Sequence, residues 1–164
     1  MGKANGKGKF YHSDGDVFEG EWVEDRVTGF GVYTHTNGAS YTGFWKDDLQ
    51  HGEGKEFWVD NSKYFGFYDQ GKKHGRGQYW WADGSHYDGE WCDNQIQGQG
   101  TYVWTDGRKY QGQWRDNNMH GHGNYWWKDG RHYEGMYEND KKHGFGTYTW
   151  NDGRKYEGNW AHGK

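Results

Sequence analysis

The sequence predicts an all-β fold: one elongated, twisted, open-ended antiparallel sheet made of seven tandem 23-residue β-hairpins. Three observations predict it. An aromatic-x-Gly-x-aromatic segment recurs every 23 residues, at Phe18/Gly20/Trp22, Tyr41/Gly43/Trp45, Tyr64/Gly66/Tyr68, Tyr87/Gly89/Trp91, Tyr110/Gly112/Trp114, Tyr133/Gly135/Tyr137 and Tyr156/Gly158/Trp160. A Gly-x-Gly recurs in the same phase, from Gly6/Gly8 to Gly144/Gly146. Around both, rings alternate with smaller or polar residues, the period-two pattern of a strand. A short fixed period without insertion or deletion describes a stack of equal units that lean on their neighbours.

The fifth unit shows the elements in order. Gly100-Thr101-Tyr102-Val103-Trp104 alternates and reads as the first strand. Thr105-Asp106-Gly107 reads as a turn, and Tyr110-Gln111-Gly112-Gln113-Trp114 as the second strand. Arg115 to His120 reads as a linker to the next hairpin. The hairpin units fall at about 6–22, 29–45, 52–68, 75–91, 98–114, 121–137 and 144–160, within a single array over 1–164. Fourteen strands at ~4.8 Å each would make a sheet roughly 65 Å long, with the usual twist.

Burial selects the register. A two-residue turn at Asp106-Gly107 would pair Val103 with Tyr110 and send the rings of the two strands to opposite faces. A three-residue loop pairs Tyr102 with Tyr110 and Gly100 with Gly112, so that all four rings share one face. A slip by one residue would move every ring into water, so the second register is expected. It has the form of a three-residue hairpin loop with Gly in the left-handed region. In the third unit that Gly is replaced by Asn61, the residue next most tolerant of this conformation. The paired glycines leave a gap in which rings can lie flat.

The composition fits a ring-built core and little else. The chain has one Leu (Leu49), one Ile (Ile96) and no Pro, a profile that would ordinarily indicate disorder. A net charge of only -4 and an aromatic content of 21% reverse that reading, because Trp and Tyr bury large areas. Cys92 is the single cysteine, which excludes an internal disulfide and favours a reducing compartment. Met1 to Phe10 contains no apolar run, so no signal peptide is expected, and no stretch is long and apolar enough to span a membrane as a helix. A soluble, cytoplasmic protein is expected. Weak acidity gives no reason to expect nucleic acid as a partner.

These motifs resemble the MORN repeat, named for membrane occupation and recognition: Tyr-x-Gly-x-Trp, a polar segment, Gly-x-Gly, then aromatics and an Asp-Gly turn. The resemblance covers essentially the whole chain, with His51, His74, His120 and His143 each preceding a Gly. Such repeats are similar to those of radial-spoke head proteins of cilia, junctophilins, plant phosphoinositide kinases and cytoskeletal scaffolds of protists. The resemblance implies a scaffold or docking role with protein partners, in the cytoskeleton or the axoneme of a cilium. It also implies an alternative, a peripheral membrane module that binds phosphoinositides.

Chemistry is not expected. Equivalent histidines should lie about 10 Å apart, two strand spacings, too far to share a metal; they are assigned to bonding the linker backbone or a neighbouring ring. Asp14, Asp60, Asp83, Asp106, Asp129 and Asp152 belong to turns, where Asp bonds its own backbone. No catalytic residue, metal site or cofactor is expected. Two surface features stand out. Arg108, Arg131 and Arg154 occupy one repeat position and, with Lys109 and Lys155, form the candidate lipid-binding row. The sharper feature is apolar. On the face away from the core rings, Phe30, Phe44, Phe57, Phe65, Phe67 and Trp80 gather in the second to fourth units. The fifth and seventh have Gln99, Thr101, Gln111, Gln113, Thr147, Thr149, Glu157 and Asn159 there. An apolar island on a wet face is the expected partner-binding surface, unless long neighbours such as Lys55 and Lys63 cover it. Uncapped strands at both ends lead to a further expectation of end-on docking or self-association.

Overall fold

The computed structural model describes residues 2–163. They form fourteen strands: β1 (Gly6–Tyr11), β2 (Val17–Val23), β3 (Arg26–Thr34), β4 (Ser40–Lys46), β5 (Leu49–Phe57), β6 (Lys63–Asp69), β7 (Lys72–Trp80), β8 (His86–Cys92), β9 (Gln95–Val103), β10 (Lys109–Arg115), β11 (Asn118–Trp126), β12 (His132–Glu138), β13 (Lys141–Thr149) and β14 (Lys155–Trp160). No helix occurs among the described residues. The chain divides into two units, Met1–Ala82 and Asp83–Lys164. The first contains β1–β7 and the second β8–β14. In each, strands adjacent in sequence are adjacent in an antiparallel sheet.

The ring-burying register is the one observed. Tyr102 lies opposite Tyr110 and Gly100 opposite Gly112. The loop closes with Trp104 N–H donating to the Arg108 carbonyl at 2.9 Å and Gly107 N–H to the Trp104 carbonyl at 3.1 Å. Gly107 has φ 95°, and Asn61 holds the equivalent place in its own loop at φ 75°.

The linker expected at Arg115–His120 is not a linker. β10 runs to Arg115 and β11 begins at Asn118, so only Asp116 and Asn117 lie between them. Both are left-handed, at φ 49° and 68°, the signature of a two-residue turn whose twist matches its strands. The same turn occurs at Glu24-Asp25, Asp47-Asp48, Gln70-Gly71, Asp93-Asn94 and Asn139-Asp140. Each unit is therefore a meander that alternates three-residue and two-residue loops.

The extra residues are absorbed by a bulge. Between β10 and β11 the register passes from Gly112 opposite Gly123 to Trp114 opposite Met119. The step consumes two residues on β10 and four on β11. An excess of two preserves the side-chain alternation, so rings stay on the ring face. The first glycine of Gly-x-Gly sits in this bulge, as Gly121 does at φ 79°.

The core lies on the ring face of each sheet. Tyr64, Tyr87, Tyr110 and Tyr133 are fully buried. Each lies flat over the paired glycines of its own and the following strand. A Cβ on Gly123 would meet Tyr110 Oη at 2.3 Å, and one on Gly112 would meet the Gly123 Cα at 2.5 Å. The hydroxyl donates to the carbonyl three residues on, as Tyr110 does to Gln113 at 2.7 Å, where the register shift interrupts the ladder. Ring edges meet ring faces around it, with Tyr110 at 5.0 Å from Trp114 and 5.4 Å from Tyr137.

Successive turns are tied together. Asn117 N–H donates to the Ile96 carbonyl at 3.0 Å, and Asn117 Oδ1 accepts the Ile96 N–H at 2.7 Å. Asp48 forms the same two-way clamp with Val27, and Asp140 with Met119.

Candidate interaction surfaces

The apolar island lies in the first unit, on the face that carries none of the core. Phe30 of β3 stands opposite Phe44 of β4, ring to ring at 5.7 Å. Phe65 of β6 lies between Phe57 of β5 at 5.7 Å and Trp80 of β7 at 5.3 Å. Phe67 stands opposite Glu53. The six residues therefore come from five successive strands. Lys55 Nζ lies 5.3 Å from the Phe65 centroid, and Lys63 Nζ lies 5.7 Å from Phe65 and 5.0 Å from Trp80. The lysine cover considered from sequence is thus present over Phe65 and Trp80, which are half-buried. Phe30, Phe44 and Phe67 remain 47% exposed and Phe57 40%.

Sequence comparison of the fifth and seventh repeats missed a smaller pair. Met136 and Phe145 are 41% and 59% exposed on the corresponding face of the second unit. The signal was available: Phe145 occupies the repeat position of Phe30.

The basic residues are not one row. Arg108 and Arg131 turn to the ring face. Each binds the Asp of its own loop (Nε to Asp106 and Asp129, both 2.8 Å) and donates Nη1 to a tyrosine of the next repeat (Tyr125 and Tyr148, both 3.1 Å). Their guanidinium groups lie 5.2 and 5.1 Å from Trp104 and Trp127. Arg154 binds Asp152 at 2.8 Å. Backbone N–H groups of these arginines, with the guanidinium itself, hold all three aspartates below the usual carboxylate range. Lys109 and Lys155, one residue further along, point to the other face by strand alternation. Lys109 Nζ lies over Trp126 at 5.2 Å, and Lys155 pairs with Glu157 at 3.2 Å.

The turn aspartates behave as expected, each accepting the N–H two residues on, as Asp60 does from Ser62 at 2.9 Å. Of the histidines, His143 meets a neighbouring ring, His162, at 5.3 Å, while Nδ1 of His120 and of His143 is buried without a hydrogen-bond partner. Cys92 is the half-buried last residue of β8.

Sequence reasoning also passed over the one break in the ring face. The column Phe10, Tyr33, Tyr79, Tyr102, Tyr125 and Tyr148 is interrupted by Glu56. Glu56 Oε1 accepts from Tyr68 Oη at 2.6 Å and from Gln50 Nε2 at 3.4 Å. Beside it opens a cavity of about 310 Å³, lined in part by Tyr33, His35, Tyr41, Trp45, Gln50 and Glu56. Burial, with the Glu56 charge second, pushes the Tyr68 hydroxyl well above the usual tyrosine range.

Comparison with known proteins agrees with this architecture. The MORN repeat family matches at residues 1–17, 18–40, 41–63, 64–86, 87–107, 110–130, 133–153 and 156–164. No curated protein sequence matches. Among solved structures, the TCP domain of SAS-4 (dCPAP) from Drosophila melanogaster, in complex with a proline-rich motif of Ana2 (dSTIL), is similar with a TM-score of 0.57 at 10% identity, over 98% of this chain and 88% of that one. The G-box domain of the microcephaly protein CPAP, described with a suggested role in centriole elongation, is similar with a TM-score of 0.57 at 16% identity, over 96% of this chain and 82% of that one. At these identities the likeness is one of fold.

Proposed function

Because this chain belongs to the MORN-repeat family, we propose that it is a non-catalytic scaffold that docks protein partners on the sheet face opposite its aromatic core. The observation that carries the reading is the exposure of Phe30, Phe44, Phe57 and Phe67 together on a face the fold does not need for its own core. Rings held on neighbouring strands are already ordered, so a partner that covers them gains apolar burial at little entropic cost. The inferred setting is a cytoskeletal or ciliary assembly. Its support is the family and the likeness in fold to CPAP domains, one of which holds a proline-rich segment.

A phosphoinositide-binding role would need Arg108, Arg131 and Arg154 to present free charge together with Lys109 and Lys155. Each arginine is instead met by its own loop aspartate. Protein docking is the reading these side chains favour.

The test is affinity capture from native cells with the full chain and with a Phe44→Thr, Phe67→Thr variant, identified by mass spectrometry. Both substitutions replace exposed rings with a strand-compatible residue, so the circular dichroism should not change. The scaffold reading predicts partners that are retained in high salt and lost from the variant. Full retention by the variant would discard this surface. Capture of phosphoinositide vesicles that fades steeply with salt would replace the reading with the membrane one.

A further inference from the structure

The ring face contains cation sites that the protein fills with its own lysines. Lys73 Nζ lies 5.3, 5.6 and 5.6 Å from the Trp58, Tyr64 and Tyr79 ring centroids. Lys142 Nζ lies 5.6, 5.7 and 5.7 Å from Trp127, Tyr133 and Tyr148. These are the same positions three repeats apart. Both lysines are half-buried or deeper, and burial depresses their pKa. Attraction to the ring faces offsets part of that cost. At the same position Val27, Ile96 and Met119 plug the site with an apolar side chain.

One repeat before Lys73 the plug is missing. Gln50 stands at the lysine position, and the three ring positions hold His35, Tyr41 and Glu56. This is the 310 Å³ cavity. The site has exchanged its internal cation for an uncharged amide, and one of its rings for a carboxylate. No Lys or Arg lines it, while Asp48 adds a second carboxylate at its margin. His35 is turned toward Asp16, with Nδ1 at 3.2 Å from Oδ2. Both hydrogen bonds to Glu56 fall on Oε1, so neither uses Oε2. Lys73 interacts electrostatically with Glu56 but places its Nζ over the rings of its own repeat, outside the cavity lining.

We propose that this cavity binds an organic cation of the alkylammonium class, which takes the place that Lys73 and Lys142 fill in their own repeats. The charge would rest against Tyr41 and Trp45 and face Glu56. That combination of aromatic walls and one carboxylate suits an ammonium carried on carbon. The ligand is either the lysine side chain of a partner chain or a small quaternary amine. The cavity lies on the ring face, away from Phe44 and Phe67, so it stands or falls independently of the docking surface on the other side.

The test is titration of the full isotope-labelled chain, with the Trp45 indole N–H followed by NMR. The probes are n-butylammonium for the lysine stem and tetramethylammonium for a quaternary head, with tert-butanol as the neutral control. A saturable shift is expected with an ammonium probe, and the tighter of the two identifies the source. Glu56→Gln keeps the shape and should weaken binding at least tenfold. Gln50→Lys, which recreates the arrangement of two other repeats, should abolish it by filling the cavity from within. Absence of a saturable shift, equal binding of tert-butanol, or undiminished binding by either variant would overturn the proposal.

Discussion

Gly100→Ala is the sharpest stability test of the core. Gly100 is extended rather than left-handed, so an added methyl group brings no backbone strain of its own. What it meets is Tyr87: the new Cβ would lie 2.0 Å from Oη, 2.3 Å from Cζ and 2.4 Å from Cε2. The ring is fully buried and cannot stay. If it swings out, it leaves Trp91 at 5.4 Å and Trp114 at 5.7 Å and gives up its hydrogen bond to the Glu90 carbonyl. Losing a buried ring costs about 3–5 kcal/mol, and the hydrogen bond about 1 kcal/mol. Partial relaxation of the ring brings the expected loss to about 2–5 kcal/mol. Urea unfolding followed by near-ultraviolet circular dichroism reads this directly. A double-mutant cycle assigns the cause, because Tyr87→Ala removes the three atoms that the methyl group would meet first. The second substitution should then cost under about 0.5 kcal/mol, a strong coupling between contacting sites. A Gly100→Ala protein as stable as the parent, or two additive losses, would refute the claim that the ring lies against this glycine.

Three further expectations follow from the same geometry. Asn117→Ala places Ala at φ 68° and removes the clamp on the Ile96 N–H; a loss of about 2–3 kcal/mol, visible as faster amide exchange at Ile96, is expected. Alkali should unfold the protein. Burial holds Tyr33 and Tyr133 at about 12, from an ordinary value of 10.0, and pushes Tyr41, Tyr64 and Tyr110 higher still. The unfolded chain therefore loses these protons first, so stability is full below pH 10 and falls as pH rises toward 12 and beyond. Melting temperature should drop over that range with tyrosinate absorbance rising in step; ionisation of these tyrosines in an intact fold would contradict it. Tyr110→Phe, which makes this repeat like the Phe18 repeat, should remove only the bond to the Gln113 carbonyl, at about 1 kcal/mol, measured by the same urea titration.

The hairpins and their register were legible in the sequence because one physical criterion decides them: Tyr102 and Tyr110 cannot both be buried in any neighbouring register. The glycine opposite glycine was legible for the same reason. The tight turns were not. Asp116-Asn117 carries no glycine, and its left-handed conformation rests on the tolerance of Asp and Asn, a weaker signal than Asn-Gly. The bulge at Gly121 was hidden because an excess of two residues leaves the alternation of side chains unchanged. Among the candidate sites, Phe30 opposite Phe44 followed from register alone. That Lys55 and Lys63 shield Phe65 and Trp80 depends on side-chain reach, which spacing does not supply. Adjacent cations such as Arg108 and Lys109 looked like one row in the sequence, yet strand alternation sends them to opposite faces. Glu56 was visible as an interruption, but its meaning required the lysines of the third and sixth repeats to be seen lying over their rings.

Inter-strand proton contacts test the fold directly. Trp104 and Arg108 are joined by a backbone hydrogen bond, so the alternation of an antiparallel ladder makes Val103/Lys109 and Thr101/Gln111 the close, non-bonded pairs, with Cα atoms about 4.5 Å apart. Strong Hα–Hα Overhauser effects between those two pairs are expected. Strong effects between Trp104 and Lys109 and between Tyr102 and Gln111 instead would mean a two-residue turn, rings divided between the two faces, and no shared aromatic core.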